Sequence, residues 1–545
     1  MFVLICSANL EAQFVEFGRN KVIYNNFDWY VLSTSHFKIH YYKEAKELAE
    51  KCAAFMEKSY TELQQKFEYS LLDTNPVILY SSPIHFMQTN TTPGFIPEAV
   101  GGFFEFIKNR VVLPFSGSLG DFHHVSKHEL VHVFMTSKVA NVIRAHGKVS
   151  QFSPPLWFTE GLAEYWSSEW DTQSDMALKD AVLNNYLPGI SDYENIYGTY
   201  LMYKLGQSAL TFISEKYGED KILQLMNNIW MTDDFSEVLK YTIGKDYEEF
   251  DKEFLYYLKK KYMPQLKNFD DPSQSSLNVY SGSFAHKPAY FNNQVFYIGN
   301  KTGYTSIYKI PLTARAKPSL VVEGESSENY EWFHFFRTGL SISSNGMLAF
   351  VTQKGASDVL NIYDLNIDKK IADFSFDNIV GIGSPSWSKD GRYIAFSAND
   401  MSGKTDLFLF DYQNEKLRRL TDDFYDDRDA DFSPDGSTIV FSSDRSRTDE
   451  KAEYNLFTYE IATGKITELT QGAQIDYAAK YSPDGKNLVY TSTIDGPQNL
   501  YCLSLTDTTL KPQRLTNFIT AAYDPVWCGS DRIAFSSFEK GTFSV

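Results

Sequence analysis

Through residues 41–70 (YYKEAKELAEKCAAFMEKSYTELQQKFEYS), apolar side chains return every three or four positions, with Glu and Lys on the opposite face. That spacing predicts an amphipathic helix. Two short β-like runs follow, NPVILYSS and RVVLPF. Helical spacing then resumes over 124–140, 157–167, 199–217, 219–230 and 247–262. The first half of the chain is therefore expected to mix helix and strand. At NFDDPSQSS (268–276) the text turns polar and carries Pro and Ser, the composition of a linker. From about residue 280 the period drops to two, and short alternating runs separated by turn signals predict strands to the end of the chain.

The strand-rich half repeats itself. A small residue, two turn formers and a glycine precede a β run in Ser343-Ser344-Asn345-Gly346, Ser388-Lys389-Asp390-Gly391, Ser433-Pro434-Asp435-Gly436 and Ser482-Pro483-Asp484-Gly485. Cys528-Gly529-Ser530-Asp531 is a degraded copy. Successive anchors lie 45, 45, 49 and 46 residues apart, and YFNNQVFYIG (290–299) falls about one period upstream of the first. Proline presets the turn's φ, aspartate bonds the local backbone and glycine takes the positive-φ position. Further strand pairs close each unit (LFLFDYQNEKLRRLT, LFTYEIATGKITELT), and a unit of about 45 residues with four strands is one propeller blade. The repeated text resembles the TolB-like propeller family over residues 280–545. Five to six blades are expected, the last without its outer strands, as in a chain truncated at its C-terminus. Closing a six-bladed ring would then require the missing piece or a segment from upstream.

The chemistry is concentrated in the first half, at His128-Glu129-Leu130-Val131-His132. Within the helical text VSKHELVHVFM the two histidines stand at i and i+4, so both imidazoles leave one face and can share one tetrahedral zinc. Glu129 lies beside them, placed to take a proton from water activated at such an ion. Catalytic zinc keeps three protein ligands, and the next candidate is Glu160 in Trp157-Phe158-Thr159-Glu160-Gly161-Leu162-Ala163-Glu164-Tyr165, after the helix break at Pro154-Pro155.

These residues resemble the gluzincin metallopeptidases, the family of thermolysin and the aminopeptidase-N-like enzymes. The resemblance implies one Zn2+ per chain on His128, His132 and Glu160, with Glu129 as general base. It places Glu164, one turn beyond Glu160, where a carboxylate orients a ligand histidine. It also implies a tyrosine against the oxyanion. Tyr203, in Tyr203-Lys204-Leu205-Gly206, answers to that role, although the Lys and Gly positions depart from the family's "YxKG" text; Tyr200 and Tyr197 are the alternates. The spacer between His132 and Glu160 is longer than in the best-known members and is expected to form a loop over the cleft. An edge strand is expected near Gly101–Glu105, with Glu105 available to a substrate amine. His123, His124 and His146 read as helix-entry or loop residues, and Asp422–Asp431 as a solvated loop with some capacity for a cation.

Composition narrows the choice. The 545 residues are 43% hydrophobic, 22% charged and 16% aromatic, which excludes a disordered or collagen-like chain. A net charge of −18 without a basic face argues against nucleic acid as a partner. No apolar run is long enough for a transmembrane helix. The four cysteines form neither a CxxC pair nor a disulfide framework. The apolar start MFVLICSA resembles the tail of an export signal cleaved near Ala8 or Ala12, which implies a periplasmic or cell-envelope location.

The expected organisation is thus multidomain. It comprises a partial signal at 1–12, an α+β zincin-like metallopeptidase domain at 13–267, a linker at 268–279 and an all-β TolB-like propeller at 280–545. The expected function is hydrolysis of peptide bonds in a peptide or protein substrate, with the propeller gating access or binding a cell-envelope protein. The competing expectation is a catalytically inactive envelope scaffold that works through its propeller alone.

Overall fold

The structure is a computed structural model. It describes residues 21–545 apart from positions 93, 95, 149–152, 283, 314–315, 326, 328, 336, 446–452 and 508–510. The expected export signal lies outside the described residues. Among them, no helix is long and apolar enough to cross a membrane. Cys52, Cys502 and Cys528 are free thiols.

The first half is built on a five-stranded sheet of β1 (Trp29–Ser33), β2 (Phe37–Tyr42), β3 (Asn75–Tyr80), β4 (Phe103–Glu105) and β5 (Arg110–Pro114), in the order β1-β2-β3-β5-β4. The three central strands are parallel, and the two edge strands run antiparallel to their neighbours. Strand β4 therefore forms one edge, as the sequence suggested for that region. The long helices α1 (Lys46–Phe67), α2 (Leu119–Ala145), α3 (Leu156–Ser167), α4 (Thr172–Leu183) and α5 (Tyr200–Tyr217) follow in chain order. Val77, Leu79, Val111 and Leu113 of the sheet share one core with Leu130 and Phe134 of α2.

Local chemistry sets the helix ends. The Ser118 hydroxyl accepts the Asp121 N–H at 3.3 Å and caps α2. Pro154 and Pro155 stop the preceding chain and open α3. Asp171 caps α4 through the Ser174 N–H at 2.6 Å. Helix α2 runs on to Ala145, so much of the spacer after His132 is a continuation of that helix. The expected loop over the cleft is corrected accordingly for the described part. Helices α4 and α6 (Phe235–Ile243) were not expected from the apolar spacing.

The second half is a six-bladed β-propeller, with blades at 285–322, 341–374, 379–419, 427–468, 476–514 and 521–544. The repeated anchor makes one turn, copied from blade to blade. Ser388, Ser433 and Ser482 donate to Asp390, Asp435 and Asp484 at 2.6, 2.7 and 2.7 Å. Each serine oxygen also accepts an N–H at the start of the next strand, from Tyr393, Thr438 and Asn487. Gly391, Gly436 and Gly485 hold φ near +70°, a conformation that favours glycine.

Two expectations are corrected. The sixth blade does have a third strand, Thr542–Ser544; the ring is closed from upstream, one of the two routes expected. The N–H groups of Val279 and Tyr280 donate to the Val545 carbonyl at 2.8 and 2.9 Å, and the Val545 N–H returns to Tyr280 at 3.1 Å. The acidic run 422–431 is a loop only at its start, where Asp422 is exposed. From Asp427 it is the innermost strand of the fourth blade, and Asp426 and Asp427 are buried. Arg445 takes both oxygens of Asp427 at 2.8 Å, and Arg428 pairs with Asp426. Burial of these aspartates is tolerated because each has a guanidinium partner.

The first half caps one end of the propeller. Asp180 accepts the N–H groups of Lys540 and Gly541 at 3.0 and 2.8 Å, Glu98 accepts that of Phe335 at 2.8 Å, and Gln498 donates to Thr172 at 2.9 Å. Gly117, just before α2, approaches so closely that a Cβ there would lie 2.6 Å from the Thr405 hydroxyl and 2.8 Å from Asp426.

Ring closure gives a direct expectation. Val279→Pro deletes one of the closing donors and should cost on the order of 1–3 kcal/mol. Scanning calorimetry should show the propeller transition moved to lower temperature; an unchanged transition would show that these bonds do not hold the ring.

Candidate metal centre

Helix α2 presents His128 and His132 on one face, one turn apart, with ring centroids separated by 5.0 Å. Helix α3 brings Glu160 against them. The His128 Nε2 and His132 Nε2 atoms lie 3.3 Å apart, and each lies 3.3 Å from Glu160 Oε2. The three donor atoms thus form an equilateral triangle. Ligands about 2.0–2.1 Å from a tetrahedral zinc are separated by about 3.3 Å, so the triangle has the size of one tetrahedral face. Two imidazole nitrogens and a carboxylate oxygen are also a donor set that suits zinc. The residues present therefore fit the ion.

The electrostatics follow from burial and pairing. Burial lowers the His128 imidazole, but hydrogen bonds to Glu160 and Glu164 override it and raise the group to about 10. Glu160 is raised by burial yet drawn down to about 2 by both imidazoles. The cluster is arranged to hold positive charge between its carboxylates.

Beyond the triangle, Glu164 Oε1 lies 3.1 Å from His128 Nδ1, on the side of the ring away from the other donors. This is the position expected of a group that orients the ligand histidine. The other oxygen of Glu164 receives the Lys204 ammonium at 2.5 Å, and His124 Nε2 stands 3.7 Å from it. Lys204 is 3% exposed and also donates to Gln207 at 3.1 Å. The sequence reading treated Lys204 only as a departure from a family text. Its signal was a lysine inside the apolar stretch of α5, since a buried ammonium requires an anion nearby. His124, expected at the surface, is half-buried beside this carboxylate, because the first turns of α2 face α3.

Glu129 is buried, and its carboxyl is raised by that burial against the pull of His128 and His132. The backbone of Phe104, in edge strand β4, acts against that rise. Tyr203 is half-buried, with its ring 6.2 Å from that of His128. Burial and the charges of Glu160, Glu129 and Glu164 hold its phenol protonated far above the ordinary range. Of the alternates, Tyr200 turns its hydroxyl toward Ser174 at 3.4 Å, and Tyr197 is 66% exposed. Glu105 is engaged by Arg110 at 2.8 Å across the β4–β5 hairpin, so the expectation of a substrate-amine contact is corrected. His123 stacks on Phe55 and His146 on Trp230.

Asp406, Asp423 and Asp427 in the propeller also converge, but Arg419 pairs with Asp406 and Arg445 with the other two. Their charge is matched by guanidinium groups.

No known protein-family profile matches the chain. Among solved structures it is similar to TolB from Acinetobacter baumannii, with 16% identity over 55% of this chain and 70% of the other at a TM-score of 0.36. A chain from Agrobacterium tumefaciens assigned as TolB shares 19% identity over 41% of this chain and 74% of its own, at a TM-score of 0.34. An oligogalacturonate lyase from Vibrio parahaemolyticus shares 12% over 49% and 91%, also at 0.34. The assignment of a propeller rests on the strand pairing itself.

Helices α3 and α5 meet at bare backbone. A Cβ on Gly206 would lie 2.1 Å from the Trp157 carbonyl, and one on Gly161 would lie 2.5 Å from the Gly206 carbonyl carbon. Gly206→Ala must push these helices apart, at a cost of about 1–3 kcal/mol or more. A lowered melting temperature together with weakened zinc uptake is expected; a variant that keeps both would show that the crossing has slack.

Proposed function

We propose that the chain is a zinc-dependent metallopeptidase of the gluzincin type that hydrolyses peptide bonds. The observation that carries this reading is the 3.3 Å triangle of His128, His132 and Glu160 with Glu129 buried against it. Zinc held there would polarise the scissile carbonyl and acidify water. The protein's own groups divide the remaining work. Glu129 accepts the proton of the attacking water and returns it to the leaving amine, a task suited to a carboxyl raised by burial. Tyr203, kept as a phenol at neutral pH, donates to the developing oxyanion. Edge strand β4 offers main chain along which an extended peptide can lie. The propeller, capped by this half, limits the approach to the site and offers a surface to an envelope protein.

Purified protein should hold one zinc per chain and cleave a mixed peptide library. Glu129→Gln should keep the zinc and lose on the order of 10²–10⁴-fold in cleavage rate. His132→Ala should lose the metal. Wild-type protein that takes up no zinc and cleaves nothing would leave the adaptor reading, in which the propeller alone carries the function.

A further inference from the structure

We propose that Lys204 is a positioning residue for the metal centre, an internal cation that fixes Glu164 against His128 and so sets the orientation and tautomer of that ligand. The inference rests on the metal-centre reading above and deepens it.

Glu164 has two oxygens with separate tasks. One faces His128 Nδ1 at 3.1 Å, and the other takes the Lys204 ammonium at 2.5 Å. Which nitrogen of an imidazole carries the proton is decided by the partner of the other nitrogen. An acceptor at Nδ1 keeps the proton there and leaves Nε2 free, with its lone pair toward Glu160 and His132. For that, Glu164 must stay turned toward the ring. It is buried, as is Glu129, and a buried carboxylate is costly to hold in place without a fixed counter-charge. Lys204 supplies that charge and fixes the direction. Its ammonium is held in turn by Gln207 and by the face of Tyr200, 5.2 Å away.

A second observation points the same way. His124, His128 and Glu164 form their own convergent donor group, close enough to attract a cation. The Lys204 ammonium lies at that carboxylate, so the demand for positive charge is met from within the chain. Helix α5 carries Lys204 next to Tyr203, and the Gly161–Gly206 crossing fixes the height of both.

The test is zinc affinity, measured by chelator competition at one pH on the full chain. Lys204→Met should bind zinc about 10–100-fold more weakly than wild type, the usual effect of removing a partner that orients a ligand. Glu164→Gln should show a loss of similar size. The double variant E164Q/K204M should be no weaker than E164Q alone, because Lys204 acts through Glu164. Each single variant strands one buried charged group, whereas the double variant strands neither. The double variant therefore carries the folding control, read by circular dichroism and melting temperature. Wild-type affinity in Lys204→Met, or additive losses in the double variant, would overturn the role of Lys204 while leaving the metal centre standing. A wild-type chain that binds no zinc would overturn the metal centre itself.

Discussion

The candidate site depends on one backbone contact, the crossing of α3 and α5 at Gly161 and Gly206. Neither position has room for a Cβ. Contact at this distance puts the flank of α5 directly beside the carboxylates of α3. Glu160 and Glu164, one turn apart, then meet His128 from α2 on one side and Lys204 from α5 on the other. With a larger residue at either crossing point the helices would separate, and the 2.5 Å contact between Lys204 and Glu164 could not form. The glycine after Glu160 is therefore a packing requirement, and the chemistry of its neighbour follows from it.

The same logic extends to the rest of the constellation. The two histidines are fixed by helical periodicity alone, and α2 is fixed by its packing in the common core with the sheet. Glu129 follows His128 on the same helix and is buried with it. Tyr203 is carried by α5. Three helices thus each contribute a chemically distinct piece, as expected where a site is built on rigid elements. The propeller meets this assembly at the start of α2, where Gly117 abuts Thr405 and Asp426. Movement of the propeller against the first half would act on the helix that bears both histidines.

Much of this was legible in the sequence, for identifiable reasons. Ser-x-Asp-Gly anchors announce the blades because the turn is held by bonds within five residues. His128, Glu129 and His132 announce themselves because i, i+4 spacing is a property of a single helix. Glu160 and Glu164 could be named from their helix and a family text, but their approach to His128 is a tertiary fact. Lys204 was missed because its meaning lies wholly in its partner, 40 residues upstream on another helix. The run at 422–431 was misread for a related reason. Its aspartates look solvated in one dimension, and only the fold supplies Arg445 and Arg428. Blade counting left ring closure from upstream as one of two options, but not that Val279 and Tyr280 perform it, since pairing over a separation of some 265 residues leaves no local mark.

Charge provides a last link between these features. Three carboxylates, the buried Glu129 and Glu164 and the half-buried Glu160, crowd around two imidazoles and one ammonium. Desolvating that much negative charge is costly unless cations sit among it. Lys204 satisfies one carboxylate. The remaining two face the triangle, and an ion of charge +2 there would bring the cluster to neutrality with both imidazoles in their neutral, lone-pair-donating form. The site is thus matched to a divalent ion in charge as well as in size. The triangle is set by helix geometry, and the charge left over for an ion is set in part by a lysine that touches none of its three corners.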